Sequence, residues 1–244
     1  MATNYGTPPI VRDGLVLYVD AANTVNSFTP GTATWSDMSG LGNDMALLNG
    51  PASSSNPASI NTIQSDTSYL IFDQNGAAEV TSTAQSGYGG YTGEDNTNYT
   101  FDLWMNTSDN STATHGKGII GNPNNDIYSQ LAVRNDKVQF AHYVSSWQYF
   151  SGTTTITDGN WHHIVFVNNS NQTGDIYIDG EQEANGSTAL ANGRHTKLIR
   201  LGSGWNTTGT SGYLTAQFAQ VKVYDRALTA AEVLKNYNST KGRF

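Results

Sequence analysis

Asp158-Gly-Asn-Trp161-His162-His163-Ile-Val-Phe-Val167, a polar break, and then Asp175-Ile-Tyr177-Ile-Asp179-Gly180 is the stretch that decides the fold. Trp161 to Asn168 is β-branched and aromatic, and Asp175 to Asp179 alternates polar and apolar with the period of two that a half-buried strand requires. Asn169 to Gly174 supplies turn residues between them, so the pair predicts two antiparallel strands joined by a short loop. Asp179-Gly180 opens the next hairpin, since glycine accepts the positive φ such a turn demands.

Working outward, residues 14–20, 69–72, 77–80, 99–105, 117–121, 127–133 and 137–143 read as strands before this pair, and 197–202 and 213–224 as strands after it. Asn135-Asp136 predicts a tight hairpin between 127–133 and 137–143. In 99–105, Tyr99, Phe101, Leu103 and Met105 share one face, while Thr100, Asp102 and Trp104 share the other. A tryptophan on the nominally polar face implies that this strand is covered on both sides. Residues 21–58 read as a long irregular stretch, with Trp35 anchoring it to the core. Thr229-Ala-Ala-Glu232 is a capping box and starts the one convincing helix, with Val233, Leu234 and Tyr237 on its apolar side and an end near Asn238. No linker, repeat or composition shift divides the chain. The expected organisation is an arm over 1–13, a single domain over 14–240 and a basic tail over 241–244: an all-β, two-sheet antiparallel sandwich with one short C-terminal helix.

Composition narrows the function classes. The chain has 244 residues, a formal net charge of −8 and only 13 % charged residues. Neither nucleic acid nor an anionic membrane finds a basic run to work with. Cysteine is absent, so no disulfide framework or thiolate chemistry is available. No stretch nears the ~18 consecutive apolar residues of a membrane span. Residues 1–6 lack the basic and apolar regions of a secretory signal.

The quoted segments together resemble laminin-G-like, concanavalin-A-like jelly-roll domains. The opening 14–20 strand, the Tyr99–Trp104 strand, Phe218 to Leu228 and Thr229 to Val233 follow in that family's order. The resemblance covers nearly everything from Gly14 to Tyr237. Ile10 to Leu15, the loop Trp35-Ser-Asp37-x-Ser39-Gly40-x-Gly42-Asn43 and Asn236 to Phe244 are further similar to lectin-type domains on tailed-phage virion proteins. This second resemblance implies a virion surface protein made in a bacterial cytoplasm, used for capsid decoration or as a fibre adhesin. Its partners would be other virion proteins and cell-surface glycans.

Candidate chemistry follows from these readings. Glycan binding wants aromatics that stack on a pyranose face while amides and carboxylates take its hydroxyls. Tyr88 and Tyr91 in a Gly-rich loop, Trp147 and Tyr149 after Ser145-Ser146, and Trp205 beside Gly204 are the candidates. Each would serve equally to cap a sandwich end or to pack at a subunit contact. Asp179, Glu181 and Glu183 alternate, as glycosidase carboxylates do in related jelly rolls, but the Asp179-Gly180 turn breaks their common face. His162 and His163 point to opposite faces and cannot chelate one metal, so one is expected in the core and the other exposed. Many laminin-G-like domains bind calcium, and Asn124 and Asp126 offer oxygen ligands of that kind. The reading is a non-enzymatic lectin-like surface module with no catalytic residues. The alternative is a glycoside hydrolase or lyase on the same scaffold.

Overall fold

The computed structural model describes residues 9–29, 32–49, 60–61, 69–72, 76–80, 98–121, 129–143, 146–169, 173–186, 199–203 and 212–244. In chain order the strands among them are β1 (Leu15–Asp20), β2 (Thr34–Trp35), β3 (Met45–Asn49), β4 (Ile60–Asn61), β5 (Tyr69–Phe72), β6 (Gly76–Val80), β7 (Tyr99–Asn106) and β8 (Lys117–Gly121). There follow β9 (Ser129–Arg134), β10 (Lys137–Tyr143), β11 (Trp147–Ser151), β12 (Trp161–Asn168), β13 (Gly174–Ile178), β14 (Glu181–Gly186), β15 (Arg200–Leu201) and β16 (Ala216–Tyr224). Helix α1 (Ala230–Thr240) continues into a 3-10 turn over Lys241–Arg243.

Two antiparallel sheets form a jelly-roll sandwich. The first runs β14-β13-β12-β7-β16-β5-β4, and β1 pairs with the second half of β16. The second runs β11-β10-β9-β8-β15-β6-β3-β2. The stretch that decided the fold lies in the first sheet as β12 and β13, with Ile164 opposite Ile178 and Phe166 opposite Ile176. Asn135 and Asp136 (φ 48° and 66°) and Asp179 and Gly180 (φ 54° and 85°) are the two-residue hairpin turns, each with both residues left-handed as such turns require.

Alternation divides every central strand between two environments. Phe101, Leu103, Met105, Ile164, Phe166, Leu131, Val133, Val138 and Phe140 enter the core between the sheets. Phe140 of β10 and Phe166 of β12 stack across that gap, with centroids 4.0 Å apart and planes 13° apart. Burying each such ring contributes roughly 1.5–3 kcal/mol.

The first sheet's outer face is covered as well, by α1 and the chain entering β1. Val233 joins Val11, Leu15, Val165, Val167, Tyr177, Tyr224 and Leu228 in a second apolar cluster there. This cover is what Trp104 on the polar face implied. Its indole stacks on Phe244 at 4.3 Å and on Tyr237 at 5.8 Å, and donates to Thr240 Oγ1 at 2.8 Å. The helix begins at the capping box, where Thr229 Oγ1 accepts from Glu232 N and Glu232 accepts from Thr229 N. Arg226 grips Glu232 through both terminal nitrogens, at 2.9 and 2.6 Å. The helix reaches Gly180 so closely that a Cβ there would stand 2.9 Å from Tyr237 Cδ1.

Several expectations are corrected. The helix runs on to Thr240, and its buried side is Val233, Asn236 and Thr240, with Leu234 46 % exposed. The expected irregular stretch holds β2 and β3, which extend the second sheet. Its anchor is as expected: Trp35 is fully buried. Asp37 organises the loop after it, accepting from Tyr18 N, Ser39 N and Asn43 N at 2.8, 2.8 and 3.0 Å.

Candidate functional site

Three groupings have chemistry to offer, and their hydrogen bonds separate them. The first lies on the outer face of the first sheet. Asp102 Oδ1 accepts from Lys222 Nζ at 2.8 Å and lies 3.0 Å from His163 Nε2; its Oδ2 accepts from Asn236 Nδ2 at 2.7 Å. All four residues are fully buried. Burial pushes the Asp102 carboxyl upward, but the adjacent Lys222 ammonium and His163 outweigh it and hold the group below its ordinary range. Asn236 Oδ1 accepts from Val11 N, and Tyr224 Oη donates to Val11 O. Burial, and next the Asp102 charge, push the Tyr224 phenol far upward. Such a set is sealed, and its charges are paired around Asp102, while His163 Nδ1 is buried with no hydrogen-bond partner among the described residues. The set locks the helix and the entering chain to the sheet.

The second grouping is the acid run after β13. Asp179 Oδ1 accepts from His163 N at 2.8 Å, and its Oδ2 lies 2.9 Å from His162 Nδ1. Glu183 Oε2 accepts from Thr153 N and Thr154 N at 3.0 and 3.1 Å, and Thr154 Oγ1 donates to Oε1. Glu181 is exposed. The carboxylates hold different loops rather than converging on one point. His162 also corrects an expectation: it is only 8 % exposed, not free in solvent. Its ring sits between Asp179 and Asp158, and the Asp179 hydrogen bond, the largest influence, raises its pKa against the opposing effect of burial.

The third grouping is an aromatic shelf on the outer face of the second sheet. Trp147 and Tyr149, expected in a loop, lie on edge strand β11, where alternation turns both to the same side and sends Phe150 to the core. Their rings are parallel within 13°, with centroids 5.9 Å apart, and both are half-exposed. His115 packs 4.2 Å from Trp147, and its Nδ1 lies 3.0 Å from Tyr149 Oη. Burial, then the nearby Arg134 charge, lowers the His115 pKa, and burial raises that of Tyr149. Near neutral pH both rings are therefore uncharged. The phenol can donate to Nδ1 and still present oxygen lone pairs outward.

Neighbouring strands add polar groups. Gln139 pairs with Ser151 across β10 and β11, and Ala141 pairs with Tyr149, so Gln139 lies one step along the same face. Its Nε2 donates to Ser151 Oγ at 3.3 Å, while its Oε1 is buried with no hydrogen-bond partner among the described residues. Gln130 Nε2 donates to His115 O at 2.5 Å and holds the loop against the sheet. Arg134 places its guanidinium 6.0 Å from the Tyr149 ring centroid. An aromatic platform edged by an amide and a guanidinium can hold a polyhydroxylated ring by stacking and hydrogen bonds.

A family model described as the concanavalin A-like lectin/glucanases superfamily matches residues 73–234, well over half of the chain. The chain belongs to this superfamily. Solved structures agree on its jelly-roll fold. Domain 4 of AbnA, a GH43 extracellular arabinanase from Geobacillus stearothermophilus solved with arabinotriose, matches at TM-score 0.64 and 15 % identity, covering 91 % of this chain and 98 % of that one. The receptor-binding domain of a botulinum neurotoxin C/D mosaic serotype matches at 0.66 and 13 %, covering 94 % and 52 %. A botulinum neurotoxin type C structure, described by dependence of cell entry on two ganglioside molecules, matches at 0.68 and 16 %, covering 94 % and 52 %. This jelly roll therefore spans about half of those toxin chains. No curated protein matches it at the sequence level.

Of the residues expected to bind, the structure brings Trp147 and Tyr149 together. Tyr88, Tyr91 and Trp205 lie outside the described residues, as do the calcium candidates Asn124 and Asp126. Among the described residues no group of three His, Asp or Glu side chains is placed to hold a metal. Sequence reading missed His115, Gln139 and Arg134. The signal for the last two was present: Gln130, Ala132 and Arg134 alternate with Leu131 and Val133, and Lys137, Gln139 and Ala141 alternate with Val138 and Phe140.

Proposed function

We propose that this chain is a non-enzymatic, lectin-like module that holds a glycan on the outer face of its second sheet. The observation that carries the reading is the parallel, half-exposed pair Trp147 and Tyr149, with the Arg134 guanidinium beside them. Two neighbouring half-exposed aromatic rings offer apolar surface on which a sugar ring can stack, and the guanidinium beside them offers hydrogen bonds to its hydroxyls. The arabinotriose seen with one structural neighbour and the gangliosides named for another support a carbohydrate ligand. The shelf's polar groups are an amide, a guanidinium, an imidazole and a phenol, so its binding requires no calcium. The acids at Asp179 and Glu183 serve as structural acceptors rather than as a catalytic pair.

The setting we infer is the surface of a tailed-phage particle, as capsid decoration or a fibre adhesin that attaches to host glycans. Its support is the resemblance carried by Ile10 to Leu15, Trp35 to Asn43 and Asn236 to Phe244.

A glycan array probed with the wild type and Trp147→Ala, with and without a chelator, tests the binding reading. The wild type is expected to mark a defined glycan set in both buffers. Trp147→Ala, folded as judged by thermal unfolding, is expected to lose that signal at least tenfold, since one aromatic stack contributes on the order of 1 kcal/mol or more. Equal signals from both proteins would move the site elsewhere. Quantitative mass spectrometry of purified particles tests the setting. Shell-like copy number indicates decoration, a few copies an adhesin, and absence ends the virion reading.

A further inference from the structure

The shelf is edged by positive charge that has no carboxylate partner among the described residues, in a chain whose 20 acidic residues outnumber its 12 lysines and arginines. Arg226 and Arg243 each grip a carboxylate through two nitrogens, Glu232 and Asp20 respectively. Arg134 grips none among the described residues: its guanidinium lies 6.0 Å from the Tyr149 ring centroid, and its Nε is buried without a hydrogen-bond partner among those residues. Lys137 is paired directly opposite Arg134 across β9 and β10. It donates to the neutral Thr155 Oγ1 at 2.7 Å and likewise has no carboxylate partner among the described residues. Asp136, in the turn between the two, directs its Oδ1 to Thr157 Oγ1 at 2.6 Å instead.

We propose that the shelf's ligand is an acidic glycan, one whose uronic- or sialic-acid carboxylate is taken by Arg134 while neighbouring rings stack on Trp147 and Tyr149. This rests on the shelf being the glycan site. A guanidinium presents its donors as a planar fork that matches a carboxylate, and a fork already lying beside an aromatic ring loses little freedom on binding. Lys137 adds charge of the same sign in the next strand. The molecule's overall negative charge repels a polyanion at long range, so the preference must arise from these local contacts. That combination favours a short acidic determinant over a densely charged polymer.

The test is calorimetric titration of the whole chain with three short oligosaccharides: a uronate oligomer, a sialylated oligosaccharide, and the carboxyl-reduced neutral form of whichever binds. The expected result is at least tenfold tighter binding of an acidic form than of its reduced partner, with the gap narrowing as salt rises. Whichever acid wins identifies the source of the carboxylate. Arg134→Gln is expected to remove the difference, so that this variant binds the acidic and the neutral form with the same affinity. Arg134→Lys should retain part of the preference, since it keeps charge and loses the fork. Equal wild-type affinity for acidic and neutral forms, or an undiminished acid preference in a folded Arg134→Gln, would overturn the proposal while leaving the shelf as a neutral-sugar site. Absence of binding by either form, together with a blank array, would remove the shelf reading itself.

Discussion

The outer faces of the two sheets carry similar residue types and put them to opposite use. On the first, Trp104, His163, Asp102, Lys222 and Asn236 lie under α1, and the hydrogen-bonding groups of Asp102, Lys222 and Asn236 meet one another. On the second, Trp147, Tyr149, His115, Gln139 and Arg134 lie uncovered by any helix among the described residues, with an amide oxygen and a guanidinium left unanswered. An aromatic or a charge alone therefore does not mark a binding site. A buried polar atom without a partner occurs on both faces, at His163 Nδ1 and at Gln139 Oε1; what distinguishes the second is accessible aromatic surface beside a guanidinium with no carboxylate partner among the described residues.

The largest expected effect sharpens the structural side of this comparison. Lys222→Met leaves the buried Asp102 carboxylate without its ammonium, and should cost about 3–5 kcal/mol in urea denaturation. Adding Asp102→Asn to that variant should recover a large part of the loss, because the orphaned charge goes with it. If Lys222→Met were nearly neutral, the first face would not be held by that pair.

Glu232→Ala comes next. It removes half of the capping box and both Arg226 hydrogen bonds, and should cost about 1–2 kcal/mol, read from the same denaturation curves. The Arg226 bonds, the largest influence, pull the Glu232 carboxyl down to about 2 despite the opposing effect of burial. Its contribution is thus present above the ordinary carboxylate range and is lost as pH falls toward 2.

A smaller effect comes from His162, whose pKa is raised first by its hydrogen bond to Asp179. Its stabilisation is complete below the unfolded value of about 6.5 and is lost as pH rises through the higher folded value. Melting temperature measured from about pH 5 to about pH 9 should fall across that window in the wild type, and the fall should flatten in His162→Gln. An unchanged slope in the variant would assign the pH dependence elsewhere.

Trp147→Ala should change stability least, by about 1 kcal/mol or less, because a half-exposed ring on an edge strand gives up less burial than a core ring. It should nevertheless change glycan binding most. That inversion is the sharpest expression of the difference between the faces.

Much of the fold was legible because alternation is a local property. The 161–168 and 175–179 pattern, the two left-handed hairpin turns and the Thr229–Glu232 box all state their structure within a few residues. The site was less legible, because it is assembled by register. Trp147 and Tyr149 looked like loop aromatics: β11 is short and lies at the sheet edge, with Ser145 and Ser146 signalling a turn before it. Their convergence with His115 and Arg134 depends on pairing across β9, β10 and β11. Likewise, Asp102 read simply as a polar-face residue; only the helix laid over it, contributed by residues more than a hundred positions away, makes it part of a buried cluster.

The most direct test of the central claim is backbone amide chemical-shift mapping of the labelled protein as the strongest array ligand is titrated in. Perturbations should cluster at His115, Gln130, Arg134, Gln139, Trp147 and Tyr149, and leave α1 and the strands beneath it unmoved. Perturbations concentrated on α1 or around Asp102, or a bound ligand that leaves β9, β10 and β11 silent, would contradict the assignment of the second sheet's outer face as the binding surface.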